Sequence, residues 1–352
     1  MSKPLVSVLI DTYNHERFIE QAIVSVLEQD LSADQVEILV VDDGSTDRTP
    51  EIVRKFEPRL RLIRKANGGQ ASAFNVGVSQ AQAPIVAFLD GDDWWAPQKL
   101  RRVLQTFEEN PGLGAMGHGY YEVNMSTARR QLVVPERTCR LAMRDVAGAH
   151  SFHAVCGLLA TSKLAVAKEV LDRIIPIPEE LVFAADAYVF ILAVAIAGAI
   201  VLDQPLCFYR LHAGNLDEAG RPARETQRRE FEEFYVQKTL AQLPSLGVPP
   251  DVVAALAEPW RLESERYRLA IKGGKPWSAF RNELATYRLT YRDASFGYKA
   301  YKSLALGLAL LMPPASFYRL KRWYARKGLK RLREKLGSPV PAEPIRVLRH
   351  FC

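Results

Sequence analysis

The chain has 352 residues, 48% of them hydrophobic and 25% charged, the proportions of a globular protein rather than a disordered one. Its 47 basic against 40 acidic side chains leave a net charge of +7. No nucleic-acid-binding motif accompanies that excess, so it points to no specific nucleic acid. Four scattered cysteines, Cys139, Cys156, Cys207 and Cys352, form no C-x-x-C pair; they do not suggest a disulfide framework and suit a reducing cytoplasm.

Leu5 to Ile10 reads as a strand and runs into the polar loop Asp11-Thr12-Tyr13-Asn14. Phe18, Ile19, Ala22, Ile23, Val26 and Leu27 then recur at helical spacing. Glu37 to Val41 is a second strand, ending in Asp42-Asp43-Gly44-Ser45-Thr46-Asp47. Thr49 can cap the helix that Pro50 opens. Leu60 to Ile63 form a third strand, Asn67-Gly68-Gly69 a turn and Ala71 to Ala81 a helix. Ile85 to Leu89 is a fourth strand, and it ends in Asp90-Gly91-Asp92-Asp93. Carboxylates so close repel one another, and they are tolerable where they face water or hold a cation. Oxygen-rich clusters suit Mg²⁺ or Mn²⁺ shared with substrate phosphates. The alternation of strand and helix predicts a largely parallel sheet with helices on both faces, binding ligands beyond the carboxyl ends of its strands. The polar loops at 11–14, 42–47 and 90–93 all fall at such ends.

Val40-Val41-Asp42-Asp43-Gly44-Ser45-Thr46-Asp47 resembles the nucleotide-binding signature of the family 2 inverting glycosyltransferases, which have the Rossmann-like GT-A fold. Asn67-Gly68-Gly69 with Ala73-Phe74-Asn75-Val76-Gly77 resembles that family's next signature. Phe88 to Asp93, followed by Pro97, resembles its metal-binding D-x-D signature. The resemblance is strong over residues 5–110 and weaker as far as residue 216. It implies that Thr12, Tyr13 and Asn14 belong to the nucleotide-sugar site. Asp43 would accept a hydrogen bond from a uracil or thymine N–H, while Asp42 would be structural. Asn67 and Gly69 would border the nucleotide, with Ala73 and Asn75 behind them. Asp90 and Asp92 would face ribose and metal, and Asp93 would be the leading metal ligand. Helix packing is the alternative for Asn75 and Gly77.

An inverting sugar transfer needs a base to take the acceptor's proton. The resemblance implies Asp186 for that role, in Phe183-Ala184-Ala185-Asp186-Ala187-Tyr188, where Ala185 stands in place of the family's Glu. Helix N-capping is the alternative for Asp186. Val201 to Leu206 and Tyr209 to Asn215 resemble the family's closing segment. They imply that His212 reaches metal or diphosphate, against a purely structural reading. His153 precedes an apolar segment in the acceptor half, and Trp95 can wall the acceptor pocket; core packing competes for both.

Two apolar stretches, Tyr188 to Leu202 and Ser303 to Pro314, fall short of the about 20 residues that a spanning helix needs. The first reads as a buried helix leading into a strand. The second precedes a basic run, Arg319 to Lys335, with Phe317, Tyr318, Trp323 and Tyr324 near its start. That tail suits either an anionic membrane surface or a helical hairpin packed on the protein. The expected organisation is a GT-A domain over 1–220, with a nucleotide-sugar half to 110 and an acceptor half beyond. A helical extension over 221–298 and an apolar-basic tail over 299–352 complete it. The expected activity is metal-dependent, inverting, non-processive transfer, with Mn²⁺ or Mg²⁺, from a UDP- or dTDP-sugar to a glycan or lipid-linked acceptor, in cell-surface polysaccharide or glycolipid assembly. The Gln-x-x-Arg-Trp motif of the processive synthases is absent. A nucleotidyltransferase, or a non-catalytic sugar-nucleotide or membrane-binding relative, is the alternative. With no apolar leader ahead of the first strand, the expected location is cytoplasmic, at most peripheral on the membrane's cytoplasmic face.

Overall fold

The structure, a computed structural model, describes residues 3–182, 185–212, 236–290, 303 and 306–326. The expected helical start at Arg221, the basic run beyond Arg326, Asn215 and the proline-containing C-terminus lie outside them.

The first half alternates as expected: β1 (Val6–Thr12), α1 (Ile19–Leu27), β2 (Val36–Asp42), α2 (Thr49–Arg54), β3 (Arg61–Arg64), α3 (Gly69–Gln80) and β4 (Ile85–Asp90). Next come β5 (Trp94–Trp95), α4 (Lys99–Glu109), β6 (Ala115–Asn124), β7 (Arg130–Val133), β8 (Cys139–Leu141), α5 (Val146–Val155), β9 (Ala165–Ala167), α6 (Lys168–Ile174), α7 (Ala185–Ala197) and β10 (Ala199–Leu211). One sheet holds all ten strands in the order β3-β2-β1-β4-β9-β6-β10-β5, with β7 on β6 and β8 on β10. Its half from β3 to β4 is parallel. Beyond β4 the sheet is mixed, because β9 runs antiparallel to both β4 and β6. Thr49 is the first residue of α2 rather than its cap, and Asp47 accepts its N–H at 2.9 Å.

Both faces of the sheet are covered, so β1 is apolar on both sides. Val8 and Ile10 join one core with Ile19, Ile23 and Leu100. Leu9, one residue out of phase, joins the other with Phe74, Phe88 and Phe190. Gly77 belongs to this packing: a Cβ there would lie 2.2 Å from Leu9 Cδ1, so α3 reaches β1 only through glycine. α7 is buried on every side from Ala185 to Val194, which explains an apolar run too short to span a bilayer.

The C-terminal helices include α8 (Pro250–Lys272), α9 (Pro276–Thr290) and α10 (Pro314–Arg326), and residues 236–240 and 306–311 are also helical. Pro249-Pro250 starts α8, where the missing N–H of Pro250 costs no helical bond. Val252, Ala255 and Leu256 join the core beneath α5 and α7. α10 folds back on its predecessors: Phe317 and Tyr318 close over Leu269 and Ala279, and Lys321 Nζ meets Glu283 at 2.5 Å. Over its described part the tail packs on α8 and α9 through these side chains.

Candidate active site

The carboxyl ends of β1, β2 and β4 meet at one edge. Asp42 is fully buried. It accepts the Ser45 N–H at 3.0 Å and pairs with Arg64 at 2.9 Å, the structural role expected of it. Asp43 is more heavily engaged than expected. It receives Lys65 Nζ at 2.6 Å and the N–H groups of Gly68 and Gly69 at 3.0 and 2.7 Å. Asn67 Nδ2 donates to the Asp43 carbonyl at 3.0 Å. Asp43 thus holds the Asn67-Gly68-Gly69 turn in place. Gly69 is required there, since its φ is +82° and a Cβ would lie 2.5 Å from the Val182 carbonyl oxygen.

Asn14 also turns out to be a stitch. It sits at φ +56°, a left-handed conformation that Asn tolerates better than most residues. Its Oδ1 accepts the Thr46 N–H, and its own N–H donates to Ser45 Oγ, both at 2.8 Å. Thr12 is buried, with Oγ1 3.2 Å from His15 Nδ1. Tyr13 is 45% exposed at the open edge. Asn75 is not at the site. Its amide spans the backbone of Ile177, donating at 2.8 Å and accepting at 2.7 Å, so packing of α3 uses both its polar atoms.

Asp11 and Asp90 are register partners across β1 and β4. Burial pushes both well above the ordinary carboxylate range, and neighbouring acidic charges, Asp92 among them, add to the rise. Asp92 differs. Burial raises it, but His212 Nε2, donating to Oδ2 at 3.0 Å, and the charge of His15 hold it below its usual value. Both side chains of that pair reach solvent, Asp92 at 14% and His212 at 15% exposure. Gly91 makes this packing possible, because a Cβ would lie 2.6 Å from Thr12 Oγ1 and 2.8 Å from His15 Nδ1.

Asp93, expected to lead the metal ligands, is closed in, with its Oδ2 buried and without a hydrogen-bond partner. It is 0% exposed, and its Oδ1 accepts the Arg210 N–H at 2.8 Å. Burial, then the charge of Asp92, pushes it up to about 7. Asp93 ties the acidic turn to β10, and Arg210 tightens the tie by donating from Nε to the Asp92 carbonyl at 2.5 Å. The guanidinium lies 4.7 Å from the Phe18 ring and 4.5 Å from the Trp94 ring.

The segment Thr161-Ser162-Lys163 connects the remaining parts. Asp186 Oδ2 accepts from both the N–H and Oγ1 of Thr161 at 3.0 Å, and Gln70 Nε2 donates to Thr161 Oγ1 at 3.1 Å. Ser162 Oγ donates to Asp90 Oδ2 at 3.2 Å. Asp186 stands within the first turn of α7, not ahead of it, and its charge bears on Asp90 and Asp11.

Two expected acceptor residues lie elsewhere. Trp95 is buried, donating from Nε1 to the Ser162 carbonyl at 2.8 Å with Lys99 Nζ 3.8 Å from its ring centre. His153 faces α8, with Nε2 3.0 Å from the Leu256 carbonyl and Trp260 edge-on at 5.5 Å. Core packing accounts for both. Asp11, His15, Thr161, Ser162 and Arg210 were not singled out as site residues from sequence. Asp11 carried a signal in its place at a strand end beside Thr12, and Arg210 in its place within the closing segment Tyr209 to Asn215.

Residues 7–166 match the family model described as Glycosyl transferase family 2. An uncharacterized glycosyltransferase of Nostoc sp. is 33% identical over 218 residues, covering 60% of this chain and 66% of that protein. The chain spans less than half the length of further curated relatives that it matches. The structure of S. aureus TarS 1-349 in complex with UDP-GlcNAc is similar with a TM-score of 0.60 at 20% identity, covering 81% of this chain and 82% of that one. The mannosyltransferase PcManGT of Pyrobaculum calidifontis, in complex with GDP-Man and Mn²⁺, is similar with a TM-score of 0.53 at 22% identity, covering 92% and 85%. The matched residues carry the strand-end loops just described, and over residues 7–166 the chain belongs to glycosyl transferase family 2, with a GT-A fold.

Proposed function

We propose that the chain is a metal-dependent, inverting, non-processive glycosyltransferase that moves a sugar from a nucleotide-diphosphate donor to an acceptor hydroxyl. The observation that carries this reading is the arrival of Asp186 at the edge that holds Asp90 and Asp92, through the shared segment Thr161-Ser162. Tyr13 and the 42–47 loop receive the nucleobase, the Asn67–Gly69 turn borders the nucleotide, and Asp90 accepts from the ribose hydroxyls. Asp186, held in one orientation by Thr161, takes the proton of the acceptor hydroxyl as that oxygen attacks the anomeric carbon. The bond to the diphosphate breaks as the new bond forms, so the configuration inverts without a sugar–enzyme intermediate. Residues 1–220 form the catalytic unit in this reading.

Mn²⁺ or Mg²⁺ fits the residues present. Asp92 and His212 offer an oxygen and a nitrogen ligand side by side, and Asp11 Oδ1 is buried close by with no hydrogen-bond partner. Among the described residues no three His, Cys, Asp or Glu side chains are gathered as a complete cage. Such ions commonly take one or two protein ligands and complete their shell with phosphate oxygens and water. When bound, the ion supplies positive charge to the diphosphate leaving group. The donors named in the two neighbouring structures, UDP-GlcNAc and GDP-Man, support the donor class. Asp43 favours UDP or dTDP here, by exchanging its Lys65 contact for a pyrimidine N–H. A glycan or lipid-linked acceptor in surface polysaccharide or glycolipid assembly completes the reading.

The test is Asp186→Asn, assayed for transfer and for donor binding across nucleotide sugars with Mn²⁺. Turnover should fall about 10²–10⁴-fold, the usual contribution of a general base, while donor affinity is retained. Transfer at the native rate would remove Asp186 from the chemistry.

A further inference from the structure

Four helical segments meet at one tip of the C-terminal region. The end of α8, the helical residues 306–311 and the starts of α9 and α10 are joined by Leu269, Ala279, Ala309, Phe317 and Tyr318. Around that small core, Ile271, Trp277, Leu308, Leu310 and Leu311 are exposed, Leu311 by 81%. Exposed apolar side chains concentrated around one small core mark a contact site. Residues 269–280 and 306–320 contain no Asp or Glu, and Lys272, Lys275 and Arg319 stand exposed among the apolar positions. α8 enters the main core through Val252, Ala255 and Leu256, and the run from Leu256 to Ile271 carries the tip roughly 20 Å further at helical rise.

We propose that this tip docks on an anionic lipid bilayer, with the leucines and Trp277 entering the headgroup–acyl boundary and Lys272, Lys275 and Arg319 meeting anionic headgroups. Exposed apolar side chains ringed by cations, with a tryptophan at the margin, match that interface. A second copy of the chain matches it poorly, because a self-complementary contact would bring like charges together. Among the described residues no helix is long and apolar enough to cross a membrane, so the contact is interfacial. The inference rests on the helical tip and not on the glycosyl-transfer reading.

The full-length protein is sedimented with vesicles of phosphatidylcholine alone, and of phosphatidylcholine with phosphatidylglycerol. Binding is expected to the second at low salt. Added salt should release it, since exposed charges are screened over about 10 Å at 0.1 M. Leu308→Glu with Leu311→Glu should abolish binding. Lys272→Glu with Lys275→Glu should weaken it by about tenfold or more. All four positions are exposed, so both variants should keep the native helical spectrum and native nucleotide binding, which separates this test from one of catalysis. The inference is overturned if the native chain ignores anionic vesicles at low salt, or if both variants bind like the native chain. It is equally overturned if the leucine variant only turns a dimer into a monomer by light scattering, which would assign the tip to a second copy.

Discussion

Asp92 and Asp93 are identical neighbours in opposite surroundings. One meets His212 at a solvent-reaching edge, and the other is closed beneath β10 with a backbone N–H. Asp92→Ala should therefore abolish Mn²⁺ stimulation of turnover with little change in melting temperature. Asp93→Ala should leave the buried Arg210 N–H unpaired and cost about 1–3 kcal/mol of stability. Thermal melts beside metal titrations separate the two, and equal melting temperatures with equal metal dependence would contradict the assignment. Asp43 is tested through its partner. If a pyrimidine N–H replaces Lys65, Lys65→Ala should leave UDP affinity equal or higher in calorimetry. Asp43→Ala should weaken it by about 1–3 kcal/mol. A loss of UDP affinity in Lys65→Ala would mean that the lysine itself holds the donor. The acidic cluster was legible in sequence, but the division of labour within it was not. Three carboxylates in four positions look alike until β5 pairs with β10 and turns Asp93 toward Arg210. Asn14, Asn75 and Trp95 show the same limit, because each polar atom found a partner 31 or more residues away.

At the scale of elements, the strands and helices that carry a clear period were readable, β1 through β4 among them. β5 and β9 were not, because two and three residues are too short to show alternation. Yet β9 interrupts the parallel order, and β5 brings His212 to Asp92. The contact between α5 and α8 was equally hidden. Pro259 lies inside α8 and has no N–H for the Ala255 carbonyl four residues back. The His153 ring sits against that point, bonded to the neighbouring Leu256 carbonyl. Burial pushes His153 down to about 4, although both carbonyls favour its charged form. The unfolded chain then binds a proton that the folded chain refuses between pH about 6.5 and 4, so stability falls as pH falls through that window. His153→Gln can keep the donated bond without titrating. Its stability should decline less on acidification, by up to roughly 2–3 kcal/mol at pH 4 relative to the native chain. Denaturant melts at several pH values check this, and parallel curves for the two proteins would place the acid sensitivity elsewhere.

For the whole molecule, the sheet with its helices holds two large cores, and the tip of the C-terminal helices holds a third, small one. The strand-end loops belong to the first two. Phe317 belongs to the third and is only 3% exposed. Phe317→Ala removes a large buried ring from a cluster with few other members, a change that typically costs about 3–5 kcal/mol. That loss is large against the stability of a small packed unit and small against the sheet, so the two should separate on heating. The variant should show an early, local transition with faster amide exchange along α9 and α10. The main transition should still shift upward with UDP and Mn²⁺, because a ligand that binds only the folded site raises its melting temperature. Exposure of Leu269 and Ala279 in the same variant should disturb the docking tip. Vesicle binding should therefore fall while nucleotide binding persists. If UDP affinity falls in step with vesicle binding, the small core and the sheet melt as one unit, and the tip cannot be treated as a separately stabilised surface.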